Sequence, residues 1–411
     1  MQHETNDVGH RVREIRNWRE MSLETVAGLA GISYGHLGKI ERGETPLNTR
    51  NLLESLAYAL RVAPSEFNGQ PWERAADPLG AAAHAGLVAV ENALDTYELG
   101  EDPGGPVREW PEICADVAEM RNAGALHSDY ALQGELAPKL LAELHALYVR
   151  QPSLRTEVLL ALIHCYASAV WVTKRLGGRG LSMLAAKEAQ KCAEELDSPQ
   201  WRGYTTWLRG DATGALSRPQ QHQRAVRMAD ELRPHLDHPE VIQAYGMLHL
   251  SAALASAVQA DKDNARTHLD EAEDVARRLD TEVGTFGRLW FGTTNVGVWR
   301  TTIGLELGEG QRVAEQARLV HIDTIPSQSR RAEFFADLGR VLLAERKTQE
   351  EGLEKLLQAE KLAPQRIHAD VFVREAVADR LRAAQRDAGG RELRGLAWRL
   401  GIAPAGVASS E

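Results

Sequence analysis

The chain has 411 residues, 43% hydrophobic and 26% charged, a soluble balance that allows two or three domains with buried cores. Net charge is −10, yet residues 8–62 carry eight Lys/Arg against six Asp/Glu, so a mildly basic head precedes a body at −12. Cys114, Cys165 and Cys192 are too scattered for a disulfide framework or a CxxC zinc site. The first twenty residues hold no apolar run, and the longest one, LLALIHCYASAVWVT, is too short for a bilayer, so a cytoplasmic protein without membrane spans is expected.

In chain order, the pattern first predicts a helix from Val8 to Trp18, with Val8, Val12 and Ile15 on one face. Ser22 is placed to cap a second helix, LETVAGLA, with Glu24 in its first turn. Ser33 is placed to cap a third, YGHLGKIER, and Gly43 to end it. RNLLESLAYAL follows with Leu52, Leu56 and Leu60 in phase, and APSEF starts a last short turn, which makes a five-helix head. Counted from Leu23, Ala27 is fifth, Gly31 ninth, Leu37 fifteenth and Ile40 eighteenth. Two helices crossing steeply through a three-residue turn need a small residue at the contact and a glycine where φ turns positive.

The stretch VREIRNWREMSLETVAGLAGISYGHLGKIERGE with LLESLAYALRVAPSEF resembles the Cro/C1-type (XRE) helix-turn-helix domain. The resemblance implies that Tyr34–Arg42 is a recognition helix for the major groove of double-stranded DNA. Ser33, Tyr34, Gly35 and Lys39 match base-reading positions, and Ser22 and Arg42 match phosphate-holding ones. Arg16 and Glu41 match an ion pair tying the first helix to the third. Gly35 and Gly38 are unusual in such a helix, where each costs about 1 kcal/mol against Ala. Bare backbone approaching the groove closely is one reading, and a tolerated weakness is the other.

NGQPWERAADPLG predicts a linker at 68–79 after a head at 1–67. LGEDPGGPVREWP at 99–111 is a second break, with helix patterns at about 80–98, 107–122, 128–149 and 154–176. Beyond them a repeat appears. Its marks are Leu196–Asp197, Leu236–Asp237, Leu279–Asp280, Ile322–Asp323 and Leu362–Ala363, spaced 40, 43, 43 and 40 residues apart. Each closes a short amphipathic helix and precedes a longer one, starting near Trp201, Val241, Val283, Arg330 and His368. The Asp is placed to cap the next helix, with Pro in its first turn. The period predicts an α-solenoid of helix pairs over 80–402, with a tail at 403–411.

Head and body together resemble actinobacterial XRE regulators with a C-terminal tetratricopeptide-like domain, most clearly from FGTTNVGVWR to AEKLAP. The same layout occurs in peptide-pheromone-responsive regulators of Gram-positive bacteria. The resemblance implies an all-α homodimeric transcription regulator whose solenoid dimerises and senses a peptide or small molecule. A helical-repeat scaffold for a protein partner, tethered to DNA by the head, is the alternative. Aromatics suggest where an effector sits: Trp201, Tyr204 and Trp207 on the second repeat, and Phe291, Asn295, Trp299 and Arg300 on the fourth. Inter-repeat packing is the more usual reason for such a stripe. An Asn amide among rings suits a peptide backbone, and Arg300 suits a carboxylate. No catalytic, metal or cofactor motif is read: LGGRGLS lacks the phosphate-loop pattern, His235–His238 reads as a solvated turn, and His164–Cys165 as a core pair.

Overall fold

The computed structural model describes residues 8–67, 78–178, 180–384 and 390–402. Regular structure among them is helical throughout. Most of the expected linker, residues 68–77, and the expected tail at 403–411 lie outside the described residues.

The head has four helices, α1 (Val8–Trp18), α2 (Leu23–Leu29), α3 (Tyr34–Glu41) and α4 (Arg50–Leu60), then one 3₁₀ turn, Pro64–Phe67. Local chemistry sets their ends. The hydroxyls of Ser22, Ser33 and Thr49 accept from the backbone N–H of Thr25, His36 and Leu52, at 3.0, 3.2 and 3.3 Å. Gly31 (φ 70°) follows α2 and Gly43 (φ 68°) follows α3, each in the left-handed conformation that stops a helix. Val12, Val26, Leu37, Ile40, Leu56 and Leu60 form a closed core.

The body begins with α5 (Pro78–Thr96), α6 (Trp110–Asn122), α7 (Tyr130–Arg150) and α8 (Arg155–Arg175). It continues through α9 (Leu181–Leu196), α10 (Pro199–Thr213), α11 (Arg218–Leu232), α12 (Pro239–Val258), α13 (Lys262–Ala276) and α14 (Thr293–Glu306). From α8 to α13 each helix packs on the next, and α10 also touches α8 and α12. That is the stacking of helix pairs that the period predicts. The segments Pro152–Arg175 and Pro239–Val258 are long and apolar enough to cross a membrane, longer than the sequence run suggested. Their most apolar 18-residue stretches are mostly buried inside the fold, as core helices of a stack.

The last helices are α15 (Gln311–Ala317), α16 (Gln328–Ala344), α17 (Gln349–Leu362), α18 (Pro364–His368), α19 (Val371–Ala384) and α20 (Arg391–Arg399). Contacts divide the chain into two compact units, which cut across the expected division into head and body. One joins the head to residues 304–318 and 332–411, and the other is residues 72–303 and 319–331. In the first unit Val371 and Phe372 enter the head's own core cluster.

Two expectations need correction. The long helix expected near Val283 starts at Thr293, because Gly284 N–H donates to Phe291 O at 2.7 Å and closes a loop. Within it Gly287, Arg288 and Trp290 have φ of 54°, 56° and 54°. The Asp of the repeat mark does not cap the next helix at two sites. Asp197 is itself left-handed at the end of α9 (φ 49°), and the N-cap residues of α10 and α12, Ser198 and His238, make no capping side-chain bond. Pro199 and Pro239 do open α10 and α12.

Candidate nucleic-acid interface and effector site

In the head, α2 and α3 meet at Ala27, which is buried, and turn at Gly31. Leu37, Gly38, Ile40 and Glu41 form the buried face of α3. An added Cβ on Gly38 would lie 3.5 Å from Leu23 Cδ2 on α2 and 3.1 Å from Arg42 Nη1. Arg16 ties α1 to α3: its Nε and Nη2 donate to the two Glu41 carboxylate oxygens at 2.6 and 2.8 Å, and Nη1 donates to Met21 O at 3.0 Å. The pair is largely buried, and the Glu41 hydrogen bond raises the Arg16 pKa.

The opposite side of α3 is open. Ser33, Tyr34, Gly35 and Lys39 are exposed, Tyr34 by 63%, and an added Cβ on Gly35 would meet nothing within 4 Å. Ser22 is exposed at the start of α2, its hydroxyl engaged with Thr25. Arg42 is exposed but occupied, because Glu44 accepts from its Nε and Nη2 at 2.6 and 3.0 Å. That bond holds the Glu44 carboxyl below its usual range. A phosphate at Arg42 must therefore displace a carboxylate, a feature absent from the pattern reading.

The seven residues expected to line an effector groove separate into two groups. Phe291 is wholly buried, its ring occupying the space a side chain on Gly246 of α12 would need. Asn295 is 1% exposed; its Nδ2 donates to Leu289 O and its Oδ1 accepts from Arg330 Nε, both at 2.9 Å. Trp299 lies under the Arg330 guanidinium at 4.9 Å from the ring centre. Arg300 pairs with Glu273 at 2.5 Å. The fourth-repeat residues are thus engaged in packing and internal pairing, and not in a free wall.

Trp201, Tyr204 and Trp207 on α10 form the other group. Trp201 meets Tyr204 and Phe286 with ring centres 5.3 and 4.8 Å apart, Tyr204 meets Phe286 at 6.3 Å, and Trp207 meets Trp171 at 6.0 Å. Burial pushes the Tyr204 hydroxyl up to about 12, against the pull of Arg121 and Arg288. His164 is not the satisfied core residue expected. It sits edge-on to Trp201 at 5.3 Å, and burial, then Arg121 and Arg288, push it down to about 3. Cys165 beside it is buried, which raises its thiol pKa. His235 and His238 lie at an exposed corner, with Asp237 3.7 Å from His238 Nε2.

Sequence reasoning put Phe286 on a second face of the fourth-repeat helix, whereas it lies in the loop before that helix, and it missed Arg121 and Arg288. It also missed a row of histidines. His222 Nε2 is 3.0 Å from His268 Nε2, and His268 Nδ1 is 3.1 Å from His249 Nδ1. The three come from α11, α13 and α12, and no short-range spacing joins them.

Residues 7–68 match the model of a family described as a helix-turn-helix domain. A search of the curated proteins finds no match. Among solved structures, the crystal structure of Bacillus thuringiensis PlcR in complex with the peptide PapR7 and DNA is similar at 12% identity. The match covers 90% of this chain and 99% of that one at a TM-score of 0.36. The head of the chain is a helix-turn-helix domain, and helical repeats follow it.

Proposed function

We propose that the protein is a sequence-specific, DNA-binding transcription regulator that acts as a dimer and answers to an effector held by its helical body. The observation that carries this reading is the two-sidedness of α3. One face is locked to α1 and α2 by Leu37, Ile40 and the Arg16–Glu41 pair, and the other leaves Ser33, Tyr34, Gly35 and Lys39 open at the helix start. In this reading Lys39 donates to guanine O6/N7, and Tyr34 makes apolar and hydroxyl contacts with base edges. Ser22 and Arg42 fix register on phosphates. One head covers one half-site, so useful specificity needs two copies about one helical turn apart on DNA, roughly 34 Å. The body supplies the pairing, and its ligand site changes how the two heads are presented.

The test is a genome-wide footprint followed by affinity titrations on the recovered sites. Lys39→Ala relaxes base preference at one position in each half-site, whereas Arg42→Ala weakens all sequences alike and lowers the salt slope by about one. Glu44→Ala frees Arg42 and tightens binding at every sequence. A Lys39→Ala protein with unchanged preference would overturn the base-reading assignment, and a footprint of a single half-site would overturn the dimer.

A further inference from the structure

We propose that Arg121, with Arg288 and the rings of Trp201, Tyr204 and Phe286, forms a binding site for a ligand that joins one carboxylate to an apolar body. This names the ligand class of the effector proposed above. It rests on that reading for its consequence on DNA, and on the following geometry for its binding.

Arg121 stands at the end of α6, partly buried, and its guanidinium makes no hydrogen bond or ion pair among the described residues. Arg288 faces the same place from the loop before α14. Its Nη1 donates to Arg121 O at 2.9 Å and its Nη2 to Asn122 Oδ1 at 2.6 Å, so it is pinned to the end of α6. No Asp or Glu among the described residues pairs with either guanidinium. Burial lowers the pKa of both, and Arg121 lowers that of Arg288 further. Other arginines of the body do find acids: Arg108 with Glu143 and Asp116, Arg150 with Asp102, Arg202 with Glu231.

An unpaired, partly desolvated guanidinium is a strong donor to a planar carboxylate, which accepts two parallel N–H bonds from it. Arg288 has spent one N–H of each Nη on the end of α6, which fixes its position, and Arg121, whose N–H groups are all unspent, is the anchor. The Arg121 fork, flanked by rings, suits a carboxylate carried on an apolar body. The walls beside it are aromatic. Trp201, Phe286 and His164 each keep part of their surface open, and the neutral His164 adds no competing charge. An apolar body attached to the carboxylate gains contact there. The loop that brings Phe286 and Arg288 is held at positive φ through Gly287, Arg288 and Trp290. Two of these are not glycine, a strained conformation that persists where surrounding structure imposes it.

The carboxylate has two possible sources, the C-terminus of a short peptide or a small free acid. Calorimetry on the full-length protein separates them with matched probes: indole-3-acetate against indole-3-acetamide, and the peptide Ala-Ala-Leu-Phe with a free C-terminus against its carboxamide. At least one acid is expected to bind tenfold or more tighter than its amide. Arg121→Gln should erase that ratio, Arg121→Lys should restore part of it, and Trp201→Ala should weaken acid and amide together. Circular dichroism melts establish that each variant is folded. Discrimination confined to the peptide pair assigns a peptide C-terminus, and confined to the indole pair a free acid. Failure of both acids to bind at millimolar concentration, equal binding of acid and amide, or an Arg121→Gln protein that keeps wild-type preference would overturn the site. An acid that binds through Arg121 yet leaves operator affinity unchanged supports the site and removes the effector role, so the two readings fail separately.

Discussion

Gly35 and Gly38 sit one turn apart on α3 and answer to different demands. Gly38 faces α2, and a methyl group there would press on the end of the Arg42 side chain and touch Leu23. The contact with Leu23 is of ordinary van der Waals length, so the Arg42 side chain is what would have to give way. Gly35 faces open space, and no neighbour in the fold requires it. A helical glycine gives up about 1 kcal/mol relative to Ala through its larger unfolded-state freedom, so Gly35→Ala should stabilise the head by about 0.5–1 kcal/mol. Unfolding by urea, followed through α1–α4 amide exchange, measures this. If bare backbone approaches DNA at Gly35, the same variant loses operator affinity while gaining stability. A gain in stability with affinity and preference untouched would mean that the residue is a tolerated weakness with no part in recognition.

At the scale of elements, the joint between α4 and the C-terminal helices is the feature with the clearest energetic consequence. Arg50 begins α4. Its backbone N–H donates to Glu306 Oε2 at 2.9 Å, and its Nη1 to Oε1 at 2.6 Å, with the Glu306 side chain wholly buried. Arg340 of α16 donates to Asn48 O at 2.6 Å, and both guanidiniums lie over the Phe372 ring, at 5.5 and 4.8 Å from its centre. Burial alone would lower the Arg50 pKa, but the carboxylates of Glu306, Asp337 and Asp370 raise it. Removing one partner leaves a buried charge, so Glu306→Ala should cost about 3 kcal/mol, seen as faster amide exchange in α4 and α19. Replacing both partners, Arg50→Met with Glu306→Leu, should recover much of that loss. If Glu306→Ala leaves exchange in both helices unchanged, the joint is not held by this pair. This element also marks the limit of sequence reading. Ser22, Ser33, Gly31 and Gly43 declare helix ends because caps and left-handed turns are chemistry within four residues. Arg50 and Glu306 are 256 residues apart, and no local rule pairs them. The same limit hid Arg121 and Arg288, while Phe291 and Asn295 misled because a helical stripe has the same period whether it faces a ligand or a neighbouring helix.

For the whole molecule, His249, His164 and Glu360 each make the folded state less stable in acid than near neutrality. His249 lies 8% exposed against Tyr245, with ring centres 4.5 Å apart. Burial pushes it down to about 4; His268 and Arg233 lower it too, and Glu271 and Asp230 act the other way. His164 stands at about 3 for the causes given above. In the unfolded chain both return to about 6.5. As pH falls from 6.5 toward 4 the unfolded state takes up protons that the native state refuses, so stability falls. For one such histidine the loss between pH 6.5 and 5 is about 2 kcal/mol, at about 1.4 kcal/mol per pH unit. Glu360 extends the trend lower. Its hydrogen bonds from His368 and Arg399 outweigh its burial and hold it at about 2, so its contribution is complete above pH 4.5 and disappears as pH falls through 2. The helical body should therefore unfold at markedly lower urea at pH 5 than at pH 7. His249→Gln, which keeps a hydrogen-bonding group beside His268 and removes the titration, should flatten that dependence by about 2 kcal/mol. NMR titration of the histidine ring protons gives the site-specific check, with the His249 signal unshifted until below pH 5. A His249→Gln protein as acid-labile as wild type, or a native His249 titrating near 6.5, would assign the acid sensitivity to other groups.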